Sequence, residues 1–467
     1  MSALVFESFL STPEILAVFS QRAVLQAMLD FEAALARAQS AEGVIPAAAG
    51  PAIAALCEVG LLDGDAIVAA SGRAGSLAIP LVKKLTEAVA QRDAEAGGYV
   101  HWGSTSQDVI DTALVLLSRR ALALLDRDLA RLTDALFGLA DRHGDAPVLA
   151  RTLMQPAQVV SFGFKLVGWI APLVRARRRL HAAGRAALQL QLGGAVGTLA
   201  VMGDKGPAVA RRVADALGLA QAPGAWHTQR DEIVSLACEV GVLVGSLGKI
   251  ARDLALLAQA EVGELAEPSG AGRGGSSAMP HKRNPVAAMV ALASAQRVPQ
   301  RIATLLAAMP QEHERGLGNW QAELAETAGL YIGAHGALKA LADVAADLQV
   351  DAPRMLRNID ALQGLVFAEA ASMQAAQHIG KARAHAWLER LSQETVKSGR
   401  HLRELTLESL AADPSLADAV DADEMRRLFD PAHAAQHAIG VARPQLAALR
   451  EQARALEAPW GGYIPAG

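Results

Sequence analysis

The chain is poor in residues that mark several large classes of protein. It has two cysteines, Cys57 and Cys238, in 467 residues, far apart and with no CxxC pair or neighbouring histidine. That pattern argues against a disulfide framework or a cysteine metal site and fits two small core residues in a reducing cytoplasm. Aromatics make up only 4% of the chain and β-branched clusters are scarce, so little sheet is expected. There is no basic excess either: 44 Lys and Arg stand against 48 Asp and Glu, for a formal net charge of −4. A nucleic-acid or membrane-surface partner needs a basic face, so neither is expected. No run of about 18 uninterrupted apolar residues occurs, and no membrane span is expected. The N-terminal MSALVFESFLSTPEIL carries acidic rather than basic residues and no cleavable apolar core. No signal peptide is read there, and a cytoplasmic location is expected.

What remains is dominated by Ala, Leu, Arg, Gln and Glu, with 52% hydrophobic residues. Such a composition favours helix nearly throughout and supplies a large core. The fold class expected is all-α, in three helical domains around a central long-helix bundle. The boundaries fall at 1–108, 109–350 and 351–467. Ser11-Thr12-Pro13-Glu14 reads as a helix cap, opening a helix that runs to Ala41. Ile233, Leu236, Val240, Leu243, Leu247, Ile250, Leu254 and Leu257 recur at alternating spacings of 3 and 4 between Pro223 and Pro268. This is a heptad seam on a helix of roughly 50 Å. Gly241, Gly245 and Gly248 interrupt it, each at a cost of about 1 kcal/mol relative to Ala, so close packing against neighbours is expected. The seam fits either a core helix of one subunit or a bundle shared between subunits. Gln158–Ala171 and Val174–Lys205 read as one helix kinked at Pro172, and Val286–Val298 as another.

Residues 275–285 read GSSAMPHKRNP, a dense polar segment in a chain otherwise built for helices. Gly270, Gly272 and Gly275 match G-x-G-x-x-G, but no strand precedes them and no βαβ unit surrounds them, so a dinucleotide loop is rejected. A plain connection has little use for Ser276, Ser277, His281, Lys282 and Asn284 together. A glycine-hinged loop, 268–285, that delivers hydroxyls and a cation to a substrate accounts for them.

GSSAMPHKRNP resembles the signature loop of the fumarase/aspartase superfamily, in the form found in its adenylosuccinate lyase and carboxymuconate cycloisomerase branches. VHWGSTSQDVIDT at 100–112 and RTLMQPA at 151–157 are similar to its first and second conserved regions. WHTQRD at 226–231, QEHERGLGNWQAE at 311–323 and LGGAVGTLA at 192–200 look most like the cycloisomerase branch. The resemblance covers the whole chain. It implies a homotetramer whose long helices form one core and whose active sites are each built from three subunits. It also implies reversible addition of a nucleophile across a double bond beside a carboxylate. In the cycloisomerase the nucleophile is a carboxylate of the substrate itself. The expected substrate is therefore a small polycarboxylate. No redox step occurs, so no cofactor and no metal are expected.

The same resemblance implies the roles of particular residues. Ser276 exchanges the proton with carbon, where the residue alone would read as a loop-capping hydroxyl. Lys282 lowers the pKa of Ser276, stabilises the dianionic intermediate, or both. Lys282 and Asn284 also resemble substrate-carboxylate ligands, and His281 fits a surface position equally well. Thr105 and Ser106, flanked by Ser104 and Gln107, match a carboxylate-binding turn. Taken alone these hydroxyls read as helix caps, with Asp108 a further cap. His101 matches a histidine near the substrate and is assigned substrate contact or acid–base work. Gln229 and Arg230 are weaker candidates of the same kind. Arg315 either grips a carboxylate in a bidentate pair or pairs with Glu312 or Glu314.

One position departs from the superfamily pattern. Many of its lyases carry R-T-H-x-Q, whose histidine serves the leaving group as an acid or orients it. Here Leu153 stands in that place, between Thr152 and Gln155. A leucine transfers no proton, which is a serious loss for a lyase that expels nitrogen. A carboxylate leaving group departs ionised at neutral pH and needs no acid. Leu153 thus counts against an adenylosuccinate lyase and leaves the cycloisomerase feasible, with Thr152 and Gln155 as substrate contacts. The alternative in another class is a catalytically silent structural homologue, against which Ser276, Lys282 and Asn284 argue.

Overall fold

A computed structural model of the chain describes residues 5–270, 274, 275, 279 and 282–457. Apolar residues at helical spacing make it overwhelmingly helical, and its frame is an up-and-down bundle. The bundle helices are α3 (Ser106–His143), α4 (Phe162–Ala187), α5 (Asp231–Leu257), α6 (Val286–Ala307) and α7 (Asn319–Ala345), after α1 (Pro13–Val18) and α2 (Gln21–Ala41). A final helix, α8 (Pro431–Arg454), returns from the C-terminal region to pack on α4.

The cap at the N-terminus forms as expected, with Thr12 Oγ1 accepting the Ile15 N–H. The single helix expected from Pro13 to Ala41 is instead two, because the chain breaks at Phe19 and Ser20 caps a new start by accepting the Ala23 N–H. Thr12 also reaches His335 of α7, with 2.8 Å between Oγ1 and Nδ1. The entry segment runs so close to α7 that a Cβ on Gly336 would lie 2.0 Å from the Leu10 carbonyl oxygen.

The heptad seam sits on α5, which is 27 residues long and therefore about 40 Å, shorter than its flanking prolines suggested. Seven of its eight apolar positions are buried, and α5 packs against α4, α6 and α7 of the same chain. Gly241 and Gly248 are where α6 comes close. A Cβ at 241 would meet Ile302 at 3.0 Å, and one at 248 would meet Ala295 at 2.6 Å. Gly245 has nothing within 4 Å of a Cβ built on it, and Val242, three residues before it, is exposed. By length and composition α5 would also pass for a membrane-crossing helix. Its packing as a core bundle helix accounts for that apolarity.

The helix expected from Gln158 through Pro172 is partly a strand. β1 (Pro147–Thr152) and β2 (Gln155–Ser161) form an antiparallel hairpin, and α4 starts only at Phe162, capped by Ser161, with Pro172 inside it. Residues 188–205 likewise leave the helix. Two further pairs are minimal: Gln189–Leu190 runs parallel to Ala220–Gln221, and Leu265–Ala266 antiparallel to Gln349–Val350. One apolar core spans the first two helices and the bundle. A second, built on Phe367, Trp387, Leu402, Met425 and Phe429, takes in Leu149 and Val159 of the hairpin.

Candidate active site

Helix ends, not helix faces, carry the chemistry. At the N-terminus of α3, Thr105 is the N-cap and Asp108 sits three residues in. Asp108 is fully buried, yet its carboxylate is saturated. It accepts the Thr105 N–H at 3.1 Å, the Ser104 hydroxyl at 3.3 Å, and the Gly193 and Gly194 N–H groups at 3.0 and 2.9 Å. His227 Nε2 lies 2.7 Å from it. The glycines at 193 and 194 allow this wrapping: Gly194 has φ +72°, and a Cβ there would meet the Gly103 carbonyl oxygen at 2.7 Å. Thr105 and Ser106 stay partly exposed at the positive end of a 38-residue helix, a place suited to a carboxylate.

Arg315 joins the same cluster. It pairs with neither Glu312 nor Glu314, and donates instead to the carbonyls of Gly194 and Ala195, both at 3.0 Å. His101 sits in the turn just before, in the left-handed region at φ +59°. Its Nδ1 lies 2.5 Å from Glu32 Oε1. Burial works against a charge on this ring, but the Glu32 carboxylate outweighs it and raises the imidazole above its ordinary pKa.

Two expected substrate contacts are drawn away from the cluster. Gln107 is buried and donates its amide to the His227 carbonyl at 2.7 Å. Arg230 is 2% exposed and bonded on both sides, to Asp111 and Glu323. Trp320 Nε1 and Gln191 Nε2 also donate to Asp111, at 2.9 and 3.2 Å, so this is the buried tie between α3, α5 and α7. Arg230 is a structural residue, because a guanidinium already matched by two carboxylates has little left for a third. Gln229, next to it, is exposed and unbonded among the described residues.

The other candidates lie at the opposite end of the bundle. Thr152 pairs with Gln155 at the tip of the hairpin, and both are exposed. The two residues between them turn through the left-handed region, Leu153 at φ +49° and Met154 at φ +67°, where glycine or asparagine is usual. Leu153 is 97% exposed. Arg151, one residue back from the tip, anchors the hairpin through Glu264, 2.7 Å away. A cavity of about 540 Å³ beside it is lined by Arg151, Met154, Lys165, Trp169, Lys249 and Asp253.

The polar loop springs from this same end. Glu267 accepts the N–H groups of Ala287 and Ala288 and so closes the loop base onto the start of α6. The Asn284 N–H donates to the Gly274 carbonyl at 2.8 Å, and Lys282 is exposed. Ser276, Ser277 and His281 lie outside the described residues.

The two ends are a helix length apart. Arg230, just before α5, binds at the start of α3; Glu264, just past α5, binds at the hairpin. Some 40 Å of helix separates them. Within one chain, His101, Ser104, Thr105, Ser106 and Arg315 come together, while Thr152, Gln155, Lys282 and Asn284 belong to the far end.

Sequence reasoning read Asp108 only as a cap and passed over Glu32, Gln39, Asp111, Glu264 and Glu323, all buried. A signal existed for two of them. Leu25, Met28, Glu32, Leu35 and Gln39 follow the 3,4,3,4 spacing of a core-facing seam, with polar residues at two of its positions.

These features define a helical protein whose polar clusters lie at the ends of its long helices. A family profile described as "Lyase" matches residues 9–300, and one described as "Adenylosuccinate lyase C-terminus" matches 364–442. The chain belongs to this lyase family, in keeping with its fumarase/aspartase resemblance. It is 48% identical to a 3-carboxy-cis,cis-muconate cycloisomerase of Pseudomonas aeruginosa, over 92% of either chain. It is 49% identical to an enzyme of the same name from Bradyrhizobium diazoefficiens, over 90% of this chain and 93% of that one. The crystal structure of the 3-carboxy-cis,cis-muconate lactonizing enzyme from Pseudomonas putida superposes with a TM-score of 0.89. That match has 44% identity and covers 96% of this chain and 99% of the other.

Proposed function

We propose that this protein is a cycloisomerase that interconverts 3-carboxy-cis,cis-muconate and 4-carboxymuconolactone in the catabolism of aromatic compounds. A carboxylate oxygen of the substrate adds to a carbon–carbon double bond conjugated with another carboxylate. The electron pair moves into that second carboxylate as an aci-carboxylate dianion, and the carbon alpha to it then takes a proton. The reverse direction removes that proton and expels the carboxylate. The observation that carries this reading is Leu153 at the exposed hairpin tip. The position that would serve a nitrogen leaving group offers no proton, and a carboxylate leaving group needs none.

In this reading Ser276 transfers the proton to and from carbon, and Lys282 and the loop N–H groups stabilise the dianion. Thr105, Ser106 and Ser104 hold a carboxylate at the positive end of α3, with His101 beside them and Arg315 bracing the glycine segment. Thr152, Gln155 and Asn284 complete the contacts. The separation of these groups by a helix length supports a homotetramer in which each site takes its two ends from different subunits. The open face of α5 at Gly245 is the natural place for the helices of neighbouring subunits to meet. The division into domains 1–108, 109–350 and 351–467 belongs to the same reading.

The test is a substrate assay. The purified protein is offered 3-carboxymuconate and adenylosuccinate separately, and ultraviolet absorbance is followed. Turnover of the first alone is expected. Fumarate release from the second would make it an adenylosuccinate lyase, and inactivity on both would favour a silent homologue.

A further inference from the structure

The Glu32 carboxylate has no evident task in the fold. It lies on α2, whose apolar neighbours build the core of the N-terminal region, and it is 1% exposed. One oxygen meets His101 Nδ1 at 2.5 Å, and the other has no hydrogen-bond partner among the described residues. Leaving a carboxylate oxygen buried and unmatched is costly, so the group needs a reason to be there. Seven residues on, and therefore on the same face of α2, Gln39 is fully buried and donates to the Trp102 carbonyl at 2.6 Å. The two polar residues grip successive residues of one turn. That turn is held in an unusual shape, with His101 at φ +59° and Gly103 at φ +70°. For a histidine this backbone conformation is strained, and such strain persists where the surroundings over-determine it. His101 Nε2 has no partner among the described residues, and the ring stays 16% exposed.

We propose that Glu32 is the positioning residue of His101: it fixes the proton on Nδ1, orients the ring, and supplies the negative charge that lets Nε2 meet the anionic substrate as a protonated donor. This rests on the reading of His101 as a substrate-facing residue. The charged groups facing the ring are Glu32 from α2 and Asp108 from the first turn of α3, and both favour the cation. Asp108 already accepts four hydrogen bonds and faces His227, whereas Glu32 has only the imidazole, so Glu32 decides. Glu32 also acts on the buried thiol of Cys57, which burial and then the Glu32 charge push up.

The test uses the full-length enzyme labelled with 15N-histidine. The His101 ring is assigned by comparison with His101→Asn and titrated by NMR, in wild type and in Glu32→Gln. Nδ1 is expected to carry the proton in the wild type. The His101 pKa is expected to fall by about one unit or more in E32Q, as for removal of a close opposite charge. The alkaline limb of the kcat/KM–pH profile, where the protonated donor is lost, should move to lower pH with it, with Glu32→Asp keeping most of the wild-type behaviour. In the His101→Asn background, E32Q should have little further effect on kcat/KM. An unshifted His101 pKa in folded E32Q overturns the proposal, as does an equal loss from E32Q with and without His101. If E32Q fails to fold, E32D and H101N carry the test: wild-type Nδ1 shifts in E32D together with a tenfold activity loss would also overturn it. The titration is read without substrate. If H101N turns over normally while the titration behaves as stated, the placement of His101 at the substrate is what fails.

Discussion

Arg230 and Asp111 face each other across the start of the bundle, with 2.7 Å between Nη1 and Oδ2 and neither side chain more than 1% exposed. Glu323 of α7 takes the other side of the guanidinium through Nε at 3.0 Å, and the Trp226 ring lies 4.7 Å from it. The arrangement ties three helices at one point. It leaves the arginine of the WHTQRD segment fully matched by two carboxylates. Removing the cation strands two buried carboxylates. Arg230→Leu should therefore lose about 3–5 kcal/mol of stability. Urea unfolding checks the loss, and the fraction that remains folded should bind substrate with nearly the wild-type KM. A large rise in KM without destabilisation would return Arg230 to the site.

The catalytic proposal for the loop predicts a separation of activity from stability. Ser276→Ala should depress kcat by several orders of magnitude and leave the melting temperature within a degree or so, as expected for a hydroxyl whose part is chemical and not structural. Steady-state kinetics and calorimetry on one preparation measure both. Near-normal turnover would remove Ser276 from proton transfer.

The two glycines that differ in surroundings on α5 separate packing within the chain from packing between chains. Gly248→Ala pushes a methyl to 2.6 Å from Ala295 and should cost about 1–3 kcal/mol by forcing α5 from α6. Gly245 has nothing within 4 Å in its own chain. Gly245→Arg should leave the helix content intact while abolishing the tetramer and, with it, the shared sites. Sedimentation and circular dichroism give the two readouts. A tetrameric, active Gly245→Arg enzyme would place the subunit contact elsewhere.

Acid should loosen the N-terminal segment from the bundle. Burial opposes ionisation of Asp128, but hydrogen bonds from His335, Arg127 and Arg131 outweigh it and hold the carboxyl well below the usual range. A depressed carboxylate contributes stability above its unfolded pKa of about 4, and that contribution is lost as the pH falls from there toward the folded value. Melting temperature should decline below about pH 4. Asp128→Asn should be less stable by about 3 kcal/mol at neutral pH and flatter in acid. Because His335 also holds Thr12, protease cleavage near the N-terminus should rise in the variant. An unchanged acid profile would show that Asp128 is not the group responsible.

The sequence by itself determined what depends on neighbours along the chain. The 3,4 spacing of α5 made a helix with a buried seam, because residues three and four apart share a face whatever lies opposite. The polar loop declared its chemistry by residue type. The hairpin at 147–161 escaped, since its turn residues Leu153 and Met154 are not the glycine or asparagine that mark such turns. Its strands carry Pro147 and Pro156, not an alternating pattern.

Only the tertiary structure decided which polar residues were free to act. Gln107 and Thr105 are two positions apart and look alike as candidates, but one is locked into a backbone carbonyl and the other stays partly open. A side chain's availability depends on partners more than a hundred residues away, as with Arg230 and Asp111, and no local pattern encodes that. The same holds for the distance between the helix ends. The sequence leaves open which motifs of one chain lie together, and the length of α5 holds its two ends some 40 Å apart.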